Sequence, residues 1–520
     1  MEGSPDHRDD FETIEPGTLL AGDVMSRVHH AIFFSAVERY GSMFLFIITA
    51  AVLSRLLTPE EFGIFAVVNA FMAVTSAAFQ EIGGANYLIQ KRVLSRQIIE
   101  TAFTVTFCLS ILVGAALFSL RDLLASVFSQ PGMKIGIAVA ALNFALTPFS
   151  MTLSALFRRD MDFSTLAICG LGGSVVGAAV AIALAALNFS YMAPIWGTIA
   201  GNAVTALLLI VAWKDIRIFR LSLTGYRDVL GFGLYSSGVS VINVFYNMAP
   251  QLFLARILDF TAVGLYSRAI NATQLFDKLV MQVLGPVILP AICAHAKSRV
   301  DLKRIYLDAI GHITAVQWPF LVFIAIMAHS IVWIWLGQTW MDVVPLVRLL
   351  CIASLALFAA GLTYPMLVAV GSVRDALVSS LIALPPSLAL IFVAGYFGVQ
   401  AVAASALLTL PFQAAVAIYF VGRHIAMTPS DLFNAIAKSG VITLSSSAGV
   451  LASAVLVEFQ FVGAVGGLFL AGMAAAAGWW FGLVMTGHPL LARLEIAASS
   501  LPFAPPKILF FNARHTVLPD

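Results

Sequence analysis

Residues 53–65 read LSRLLTPEEFGIF, and residues 254–266 read LARILDFTAVGLY. The two stretches align without a gap at an offset of 201 residues, which is 254 minus 53. The matched pairs are Leu53 with Leu254, Arg55 with Arg256, Leu57 with Leu258, Gly63 with Gly264 and Phe65 with Tyr266. Self-similarity at a fixed offset in an apolar chain is typical of transporters built from two repeated halves. The sequence therefore predicts an internal repeat.

Composition places the chain in a membrane. Of its 520 residues, 60% are hydrophobic and 11% are charged, whereas a soluble domain carries about 25% charged residues. No GxxxxGK[ST] phosphate loop occurs in the chain, so we do not expect ATP to drive it. No loop between the predicted spans has room for a soluble catalytic domain. We therefore expect no enzyme activity, no cofactor, no metal site and no nucleic-acid partner.

Windows of about 20 mostly apolar residues mark helices that can cross a bilayer. Fourteen windows of this kind occur, at 31–54, 62–88, 100–120, 133–157, 164–188, 192–213, 228–255, 262–292, 308–336, 343–370, 375–396, 399–421, 436–457 and 460–486. The predicted fold is an all-α integral membrane protein of about 14 transmembrane helices.

The repeat divides these spans into two lobes, because six spans separate the two matching stretches and the halves share one orientation. We expect a cytoplasmic tail at 1–30, an N-lobe of spans 1–6 at 31–213 and a C-lobe of spans 7–12 at 228–421. Two extra C-terminal helices follow at 436–486, and a cytoplasmic tail follows at 487–520.

Lysine and arginine residues predict the orientation, because they concentrate on the cytoplasmic side of a membrane protein. With the N-terminus in the cytoplasm, 21 of the 29 Lys and Arg residues fall in cytoplasmic segments and four fall outside. The last four, Arg39, Arg268, Lys278 and Arg348, lie inside spans. Both termini are therefore predicted to be cytoplasmic.

Two polar stripes run along the seventh and eighth spans. Their members are Ser236, Ser240, Asn243, Asn247 and Gln251 in the seventh, and Ser267, Asn271, Gln274, Lys278 and Gln282 in the eighth. Spacings of three and four residues put each set on one helix face. Unpaired polar groups in hydrocarbon cost several kcal/mol, so the stripes must face water or other helices. A wet cavity and ordinary interhelical hydrogen bonds both fit the pattern.

The offset of 201 residues transfers these stripes to the first two spans. Ser236, Ser240 and Asn243 correspond to Ser35, Arg39 and Ser42, and Gln282 corresponds to Glu81. We therefore expect a central cavity lined by spans 1, 2, 7 and 8. Its cations would be Arg39 and Lys278, with Arg268 about 100° off the stripe. For Arg268, snorkelling toward the external interface is the alternative.

Three carboxylates inside or beside these spans are candidates for ion coupling: Glu38, Glu81 and Asp277. A buried carboxylate has a raised pKa and can take up a proton. Each could equally be an ion-pair partner that neutralises a nearby cation. Outside this set, Trp333, Trp335 and Trp340 end the ninth span, where tryptophan is typical of interfacial anchors.

Three stretches carry a resemblance to a known family. They are AAVLSRLLTPEEFGIFAVV (50–68), GGANYLIQKRVLSRQIIETAF (83–103) and QLFLARILDFTAVGLYSRAINATQLFDKL (251–279). They resemble the oligosaccharide flippase family, the Wzx-like branch of the multidrug/oligosaccharidyl-lipid/polysaccharide exporter superfamily. That family implies two six-helix lobes around a cavity that opens to one side at a time.

The resemblance also implies a function. It implies movement of undecaprenyl-diphosphate-linked oligosaccharides across a bacterial inner membrane for O-antigen or exopolysaccharide assembly, driven by H⁺, Na⁺ or the membrane potential. Arg suits phosphate because its fork binds two oxygens, and Asn, Gln and Ser suit sugar hydroxyls. Membrane lipids, a polysaccharide polymerase and a chain-length regulator are the partners that this function suggests. The alternatives are a small-cation exporter of the same superfamily, a lipid II flippase and, more remotely, a membrane polysaccharide polymerase or glycosyltransferase.

Overall fold

The structure, a computed structural model, describes residues 21–80, 85–91, 94–281 and 301–499. All regular structure in this part of the chain is helical. The α-helices are α1 (Ala21–Leu56), α2 (Pro59–Gln80), α3 (Ala85–Gln90), α4 (Arg96–Val127), α5 (Met133–Ala141), α6 (Asn143–Arg159), α7 (Phe163–Ala186), α8 (Met192–Trp213), α9 (Tyr226–Ile257), α10 (Phe260–Thr273), α11 (Leu302–Ile326), α12 (Ala328–Trp335), α13 (Val343–Ser354), α14 (Ala360–Ala369), α15 (Val373–Gly395), α16 (Val399–Ile425), α17 (Pro429–Glu458), α18 (Ala464–Thr486) and α19 (Pro489–Ser499). A π-helical turn, Asp277–Met281, follows α10, and short 3₁₀ segments cover Ile216–Phe219, Gln338–Trp340 and Leu355–Ala359.

Within the described residues, 12 helical segments are long and apolar enough to cross a membrane. They coincide with predicted spans 1–6 and 9–14, so an all-α multi-pass membrane protein is confirmed. The seventh predicted span, 228–255, lies within α9. The eighth, 262–292, begins in α10 and then leaves the described residues after 281. The count of 14 therefore stays a prediction.

The chain forms two compact units. Unit 1 comprises Met1–Val283, Trp335–Leu346 and Leu384–Ser405, and unit 2 comprises Leu284–Ile334, Val347–Ala383 and Ala406–Asp520. In unit 1, α7 packs along α8 and α1, and α2 packs along α9 and α10. In unit 2, α17 packs on α18 and α11. The lobes predicted at 31–213 and 228–421 follow the repeat rather than the packing, and they stay a prediction.

The two repeated stretches meet face to face in unit 1, where α2 crosses α10. A Cβ atom added to Gly63 would collide with the carbonyl oxygen of Phe260, and one added to Gly264 would collide with that of Pro59. Residues 59 and 260 are themselves equivalent at the offset of 201. The contact is therefore reciprocal, as expected when two copies of one motif pack through the same surface.

Both helices of this crossing begin with a side-chain cap. The Thr58 backbone N–H donates to Glu61 Oε2 at 2.8 Å and the Glu61 N–H donates to Thr58 Oγ1 at 3.3 Å, which closes a capping box on α2. At the start of α10, the Ala262 N–H donates to Asp259 Oδ1 at 2.7 Å. Thr58 and Asp259 therefore start the two equivalent helices at the same position of the repeat, since 58 plus 201 is 259.

Candidate substrate cavity

Arg268 is the most deeply buried cation of the described residues, with 1% of its surface exposed. Its guanidinium carbon lies 3.5 Å from the centre of the Phe62 ring and 5.3 Å from that of Trp340. Its Nη2 lies 3.5 Å from the Ala50 carbonyl oxygen. Its Nε has no hydrogen-bond partner among the described residues. The side chain therefore does not snorkel to the membrane surface, and its charge is only partly satisfied by the protein.

Two of the tryptophans predicted as interfacial anchors instead pack into this region. Trp340 is fully buried, and its Nε1–H donates to the Ser54 carbonyl oxygen at 2.7 Å. The Trp335 Nε1–H donates to the Ile47 carbonyl oxygen at 2.9 Å. The anchor prediction was wrong for Trp340, because it is buried and a carbonyl near the end of α1 satisfies its indole N–H. For Trp335, which is half-buried, it stays a prediction. Only Trp333 is exposed, at 45%.

Arg268 lines a cavity of 390 Å³ in unit 1, which we call the Arg268 cavity. Helices α1, α2, α7 and α8 form its walls. Its polar lining consists of Ser42, Thr49, Ser174, Thr198, Asn202 and Thr205. The volume falls within the range of about 300–1,000 Å³ that is usual for small-molecule sites. Apolar walls with a few convergent polar groups are the usual composition of such a site.

A second cavity of 470 Å³, the Asn143 cavity, adjoins the first through two shared residues, Phe65 and Thr198. Helices α2, α5, α6, α8 and α9 line it, with Asn69, Ser76 and Asn143 as polar members. The Asn202 Nδ2 donates to Asn143 Oδ1 at 2.7 Å, which joins the walls of the two cavities.

Lys278 lies in the π-helical turn after α10 and points toward α1. Its Nζ donates to Asn271 Oδ1 at 3.3 Å and lies 4.4 Å from the centre of the Phe46 ring. Phe46 also lines the Arg268 cavity. The Tyr40 hydroxyl donates to the Leu279 carbonyl oxygen at 3.3 Å, which is a second link between α1 and this turn. Lys278 therefore lies beside Phe46 in the wall of the Arg268 cavity, whereas Arg268 itself lines the cavity.

Arg39 and Glu38 are half-buried on α1. The Glu38 carboxylate faces α7, since a Cβ atom added to Gly170 would lie 2.7 Å from its Oε1. The Glu38 carboxylate interacts electrostatically with Arg158 and with Arg39. Glu38 therefore faces the packing between α1 and α7, and it has a cationic neighbour from the end of α6 as well as the one next to it in sequence.

The other predicted site residues fall into three groups. On the described helices, Ser42 lines the Arg268 cavity, Ser35 and Asn271 are half-buried, Gln251 is buried, and Asn243, Asn247, Gln274 and Asp277 are exposed. The side chains of Ser236 and Ser240 lie outside the described residues, although their backbone belongs to α9. Glu81 and Gln282 lie outside the described residues altogether.

Several lining residues were missed by the sequence analysis. They are Thr49 on α1, Ser174 on α7, Asn143 on α6, and Thr198, Asn202 and Thr205 on α8. A signal for α8 was present, because Thr198, Asn202 and Thr205 have the spacings of four and three residues used for the other stripes. Phe62 and Trp340 carried no such signal, because a stack on a guanidinium depends on packing between distant segments.

Comparison with known proteins gives a consistent set of relatives. A family model described as polysaccharide biosynthesis protein matches residues 52–345. The chain is 24% identical over 313 residues to the lipopolysaccharide biosynthesis protein WzxC of Escherichia coli. The aligned region covers 59% of this chain and 63% of WzxC. It is 22% identical over 344 residues to the succinoglycan biosynthesis transport protein ExoT of Rhizobium meliloti. That aligned region covers 65% of this chain and 68% of ExoT.

Two solved structures share the fold. The lipid II flippase MurJ in an inward closed conformation superposes with a TM-score of 0.68 at 12% identity, covering 88% of this chain and 100% of MurJ. A multidrug resistance MATE family transporter of the MOP superfamily, in an inward-facing conformation, superposes with a TM-score of 0.63 at 16% identity. That match covers 75% of this chain and 98% of the MATE protein.

Proposed function

Because this chain belongs to the polysaccharide biosynthesis protein family, we propose that it is a flippase for lipid-linked oligosaccharides. It moves undecaprenyl-diphosphate-linked repeat units from the cytoplasmic to the periplasmic leaflet of a bacterial inner membrane. The repeat units serve O-antigen or exopolysaccharide assembly. The relatives support this proposal, since WzxC is a lipopolysaccharide biosynthesis protein and ExoT is a succinoglycan biosynthesis transport protein.

The observation that carries the proposal is the Arg268 cavity, with one buried cation in its wall and a second beside it. A lipid diphosphate carries a negative charge on each phosphate, and it needs cations where hydrocarbon surrounds it. Arg268 offers a guanidinium whose protein partners are two aromatic faces and one carbonyl. Lys278 offers an ammonium held by Asn271 and Phe46. Cations and hydroxyl groups together match a phosphate that is attached to sugar.

In this proposal Arg39 is the third cation, supplied by α1. Its half-buried position on α1 lies one turn before Ser42, which lines the Arg268 cavity. The polar residues Ser35, Asn243, Asn247, Gln251, Gln274 and Gln282 would line the path of the substrate. Several moderate contacts suit transport, because the substrate must also leave.

Coupling to H⁺, Na⁺ or the membrane potential is assigned to the carboxylates Glu38, Glu81 and Asp277. Of these, the structure describes Glu38 and Asp277. Glu38 is the better placed of the two, because it interacts electrostatically with Arg158 and Arg39. Loss of its charge on protonation would free Arg39 to bind phosphate. Alternating access between the two repeated lobes would then move the substrate.

The rival functions predict other chemistry. A small-cation exporter would need an acidic cavity. The charged side chains at this cavity, Arg268 and Lys278, are instead both basic. A lipid II flippase would use the same cations with another sugar, and the MurJ likeness is one of fold. Both rivals can be separated from the proposal in cells.

Deletion of the gene provides the test. We expect completed lipid-linked repeat units to accumulate on the cytoplasmic leaflet and the surface polymer to be lost. The plasmid-borne gene should reverse the accumulation and restore the polymer. Mass spectrometry of extracted lipid-linked oligosaccharides and staining of surface polysaccharide are the measurements. Normal polymer together with increased drug sensitivity would support the small-cation exporter instead, and accumulation of lipid II would support a lipid II flippase.

A further inference from the structure

The wall of the Arg268 cavity is exposed in one part and buried in another. Thr198 and Asn202 of α8 are exposed. Ala50, Phe62 and Arg268, which contact one another where α1, α2 and α10 meet, are at most 6% exposed. This buried part of the wall is therefore closed in this conformation. It lies near the end of α1 and the start of α2, which the Lys and Arg bias predicts to be external.

A short segment, Trp335–Leu346, lies behind the buried part of the wall, and we call it the strap. It belongs to unit 1. Its Trp340 ring packs edge-on against Phe62, with the ring centres 5.9 Å apart, and the Arg268 guanidinium carbon lies 5.3 Å from its centre. Phe62 and Arg268 line the cavity, whereas Trp340 does not. Trp340 therefore supports this part of the wall from outside the cavity.

Two indole N–H groups tie the strap to α1. The Trp335 Nε1–H donates to the Ile47 carbonyl oxygen at 2.9 Å, and the Trp340 Nε1–H donates to that of Ser54 at 2.7 Å. The two carbonyls are seven residues apart, which places them on one face of the helix. The Ser54 carbonyl is in the last turn of α1, where carbonyls lack an intrahelical partner, because the Thr58 N–H is used by the cap of α2. Trp340 supplies the missing donor.

Gly337 provides the turn that brings both indoles to α1. Trp335 ends α12, and Trp340 ends the 3₁₀ segment that follows. Between them, Gly337 has a φ of +98°, a conformation that residues with a side chain rarely adopt. Its carbonyl oxygen accepts from the Trp340 backbone N–H at 3.2 Å. The turn therefore depends on glycine.

The flanks of the strap belong to the other compact unit. The segment that ends at Ile334 and the segment that begins at Val347 are both part of unit 2. A shift of these flanks would pull directly on the strap. Two hydrogen bonds and the packing of one indole are contacts that such a pull can release without unfolding α1.

We propose that the strap is a gate. While its two indoles hold α1, the part of the Arg268 cavity formed by Ala50, Phe62 and Arg268 stays closed, and when the strap lifts, that part opens. Because this part is predicted to be external, the open gate gives the substrate a way out to the periplasm. The role in substrate release rests on the proposed function, whereas the movement of the strap does not.

The rate at which a buried cysteine is labelled measures whether the strap lifts. Ser54 is 2% exposed, and its own carbonyl holds Trp340. In the full-length protein, freed of its native cysteines and purified in detergent, Ser54→Cys should react slowly with a fluorescent maleimide. Both faces of the protein are accessible in detergent, so the result does not depend on the predicted orientation.

Two substitutions loosen the strap and keep an aromatic ring. Trp335→Phe removes one hydrogen bond to α1, and it should speed the labelling of Ser54→Cys about tenfold, which corresponds to about 1.4 kcal/mol. Trp340→Phe should speed it as well. Because Trp340 is fully buried and its replacement can disturb folding, the half-buried Trp335 carries the test. An unchanged rate in Trp335→Phe would overturn the proposal.

Two controls confine the effect to the strap. Trp333→Phe makes the same change two residues away, at an indole that is 45% exposed, and should leave the labelling rate unchanged. The native Cys169 of α7 is 4% exposed and reports on loosening of the fold as a whole. In a protein that retains only this cysteine, Trp335→Phe should not change the rate. An equal rise at Cys169 and at Ser54→Cys would also overturn the gate.

Failure of this inference can be told apart from failure of the proposed function. If the plasmid-borne gene restores surface polymer in the deletion strain while Trp335→Phe leaves the labelling rate unchanged, the flippase stands and the gate does not. If the labelling responds as expected but deletion of the gene leaves the polymer intact, the strap moves and the flippase proposal fails.

Discussion

At the residue scale, the cations of the spans differ in how the protein holds them. Arg268 is enclosed by two aromatic faces and a carbonyl, whereas Arg348 of α13 is exposed. An Arg at the membrane boundary can keep its head in water at little cost. A buried one is retained only if something compensates its charge. We therefore assign the buried Arg268 to transport and the exposed Arg348 to anchoring at the membrane boundary.

Arg39 allows the contrast to be tested in cells. In the flippase proposal, Arg39→Ala removes a cation that binds the diphosphate, so we expect export of surface polymer to be abolished. Arg348→Ala should leave export nearly unchanged, because the exposed side chain has no assigned role in the cavity. Complementation of the deletion strain is the measurement, with immunoblots to establish equal amounts of protein in the membrane. Equal tolerance of both substitutions would remove Arg39 from the site.

The position of a single residue could be predicted only from the repeat offset or from the spacing of polar residues along one helix. Ser42 followed from the repeat and lines the cavity, and the stripe spacing placed Asn271 and Lys278 on one face, where they are hydrogen-bonded. Arg268 was assigned to the cavity with snorkelling left open. Its burial depends on Phe62, Trp340 and Ala50, which come from three separate segments. The spacing of residues within one helix cannot predict that three distant segments pack around one side chain.

At the element scale, the Arg268 cavity depends on how closely α7 approaches α8. A Cβ atom added to Gly177 would lie 2.9 Å from the Gly197 carbonyl oxygen, and one added to Gly201 would lie 2.9 Å from that of Gly173. These pairs are small residues four apart on both helices, which lets the backbones of membrane helices come into contact. The close contact fixes the wall on which Ser174, Thr198 and Thr205 are presented.

Two adjacent glycines of α7 test this packing. At Gly173, an added Cβ would lie 2.6 Å from the Gly201 carbonyl oxygen, so Gly173→Ala should force the helices apart and cost about 1–3 kcal/mol. At Gly172, the nearest atom is the tip of the flexible Leu208 side chain at 3.1 Å. Gly172→Ala should therefore change stability by less than about 1 kcal/mol, and it gains helix propensity.

Thermal unfolding of both variants in the same detergent is the measurement, with the amount of folded protein after extraction as a second readout. A Gly173→Ala protein that melts with the unaltered one would mean that α7 and α8 are not held by this contact. The pair is matched, because the same methyl group is added to the same helix one position apart.

Elements were the most predictable part of the molecule. Hydropathy located 12 of the predicted spans on described helices that can cross a membrane. It missed the break at Leu142, which divides the fourth predicted span, 133–157, into α5 and α6. Asn143 is the one polar residue next to the break, and a single polar residue in an apolar window does not mark a break. The close α7–α8 packing could have been predicted from the glycines, which occur four apart on each helix.

At the scale of the whole molecule, the repeat is visible where the two copies touch and less visible elsewhere. Gly63 and Gly264 make reciprocal contacts in unit 1, yet the polar residues at equivalent positions differ, since Arg39 corresponds to Ser240. Unequal halves suit a transporter of an asymmetric substrate. Both halves supply cations, Arg39 from the first and Arg268 and Lys278 from the second, but at positions that are not equivalent at the offset of 201.

The direction of transport depends on which way the whole chain is oriented. The bias of 21 cytoplasmic against four external Lys and Arg residues predicts that the connection between α4 and α5 lies outside and the connection between α8 and α9 lies inside. Ser129 and Leu223 are exposed in these two connections. In an active protein freed of its native cysteines, Ser129→Cys should react with a membrane-impermeant maleimide in spheroplasts, which expose the outer face of the inner membrane. Leu223→Cys should react only after the membrane is permeabilised. The opposite pattern would reverse the topology, and the cytoplasmic-to-periplasmic direction proposed for the substrate would then lose its structural basis.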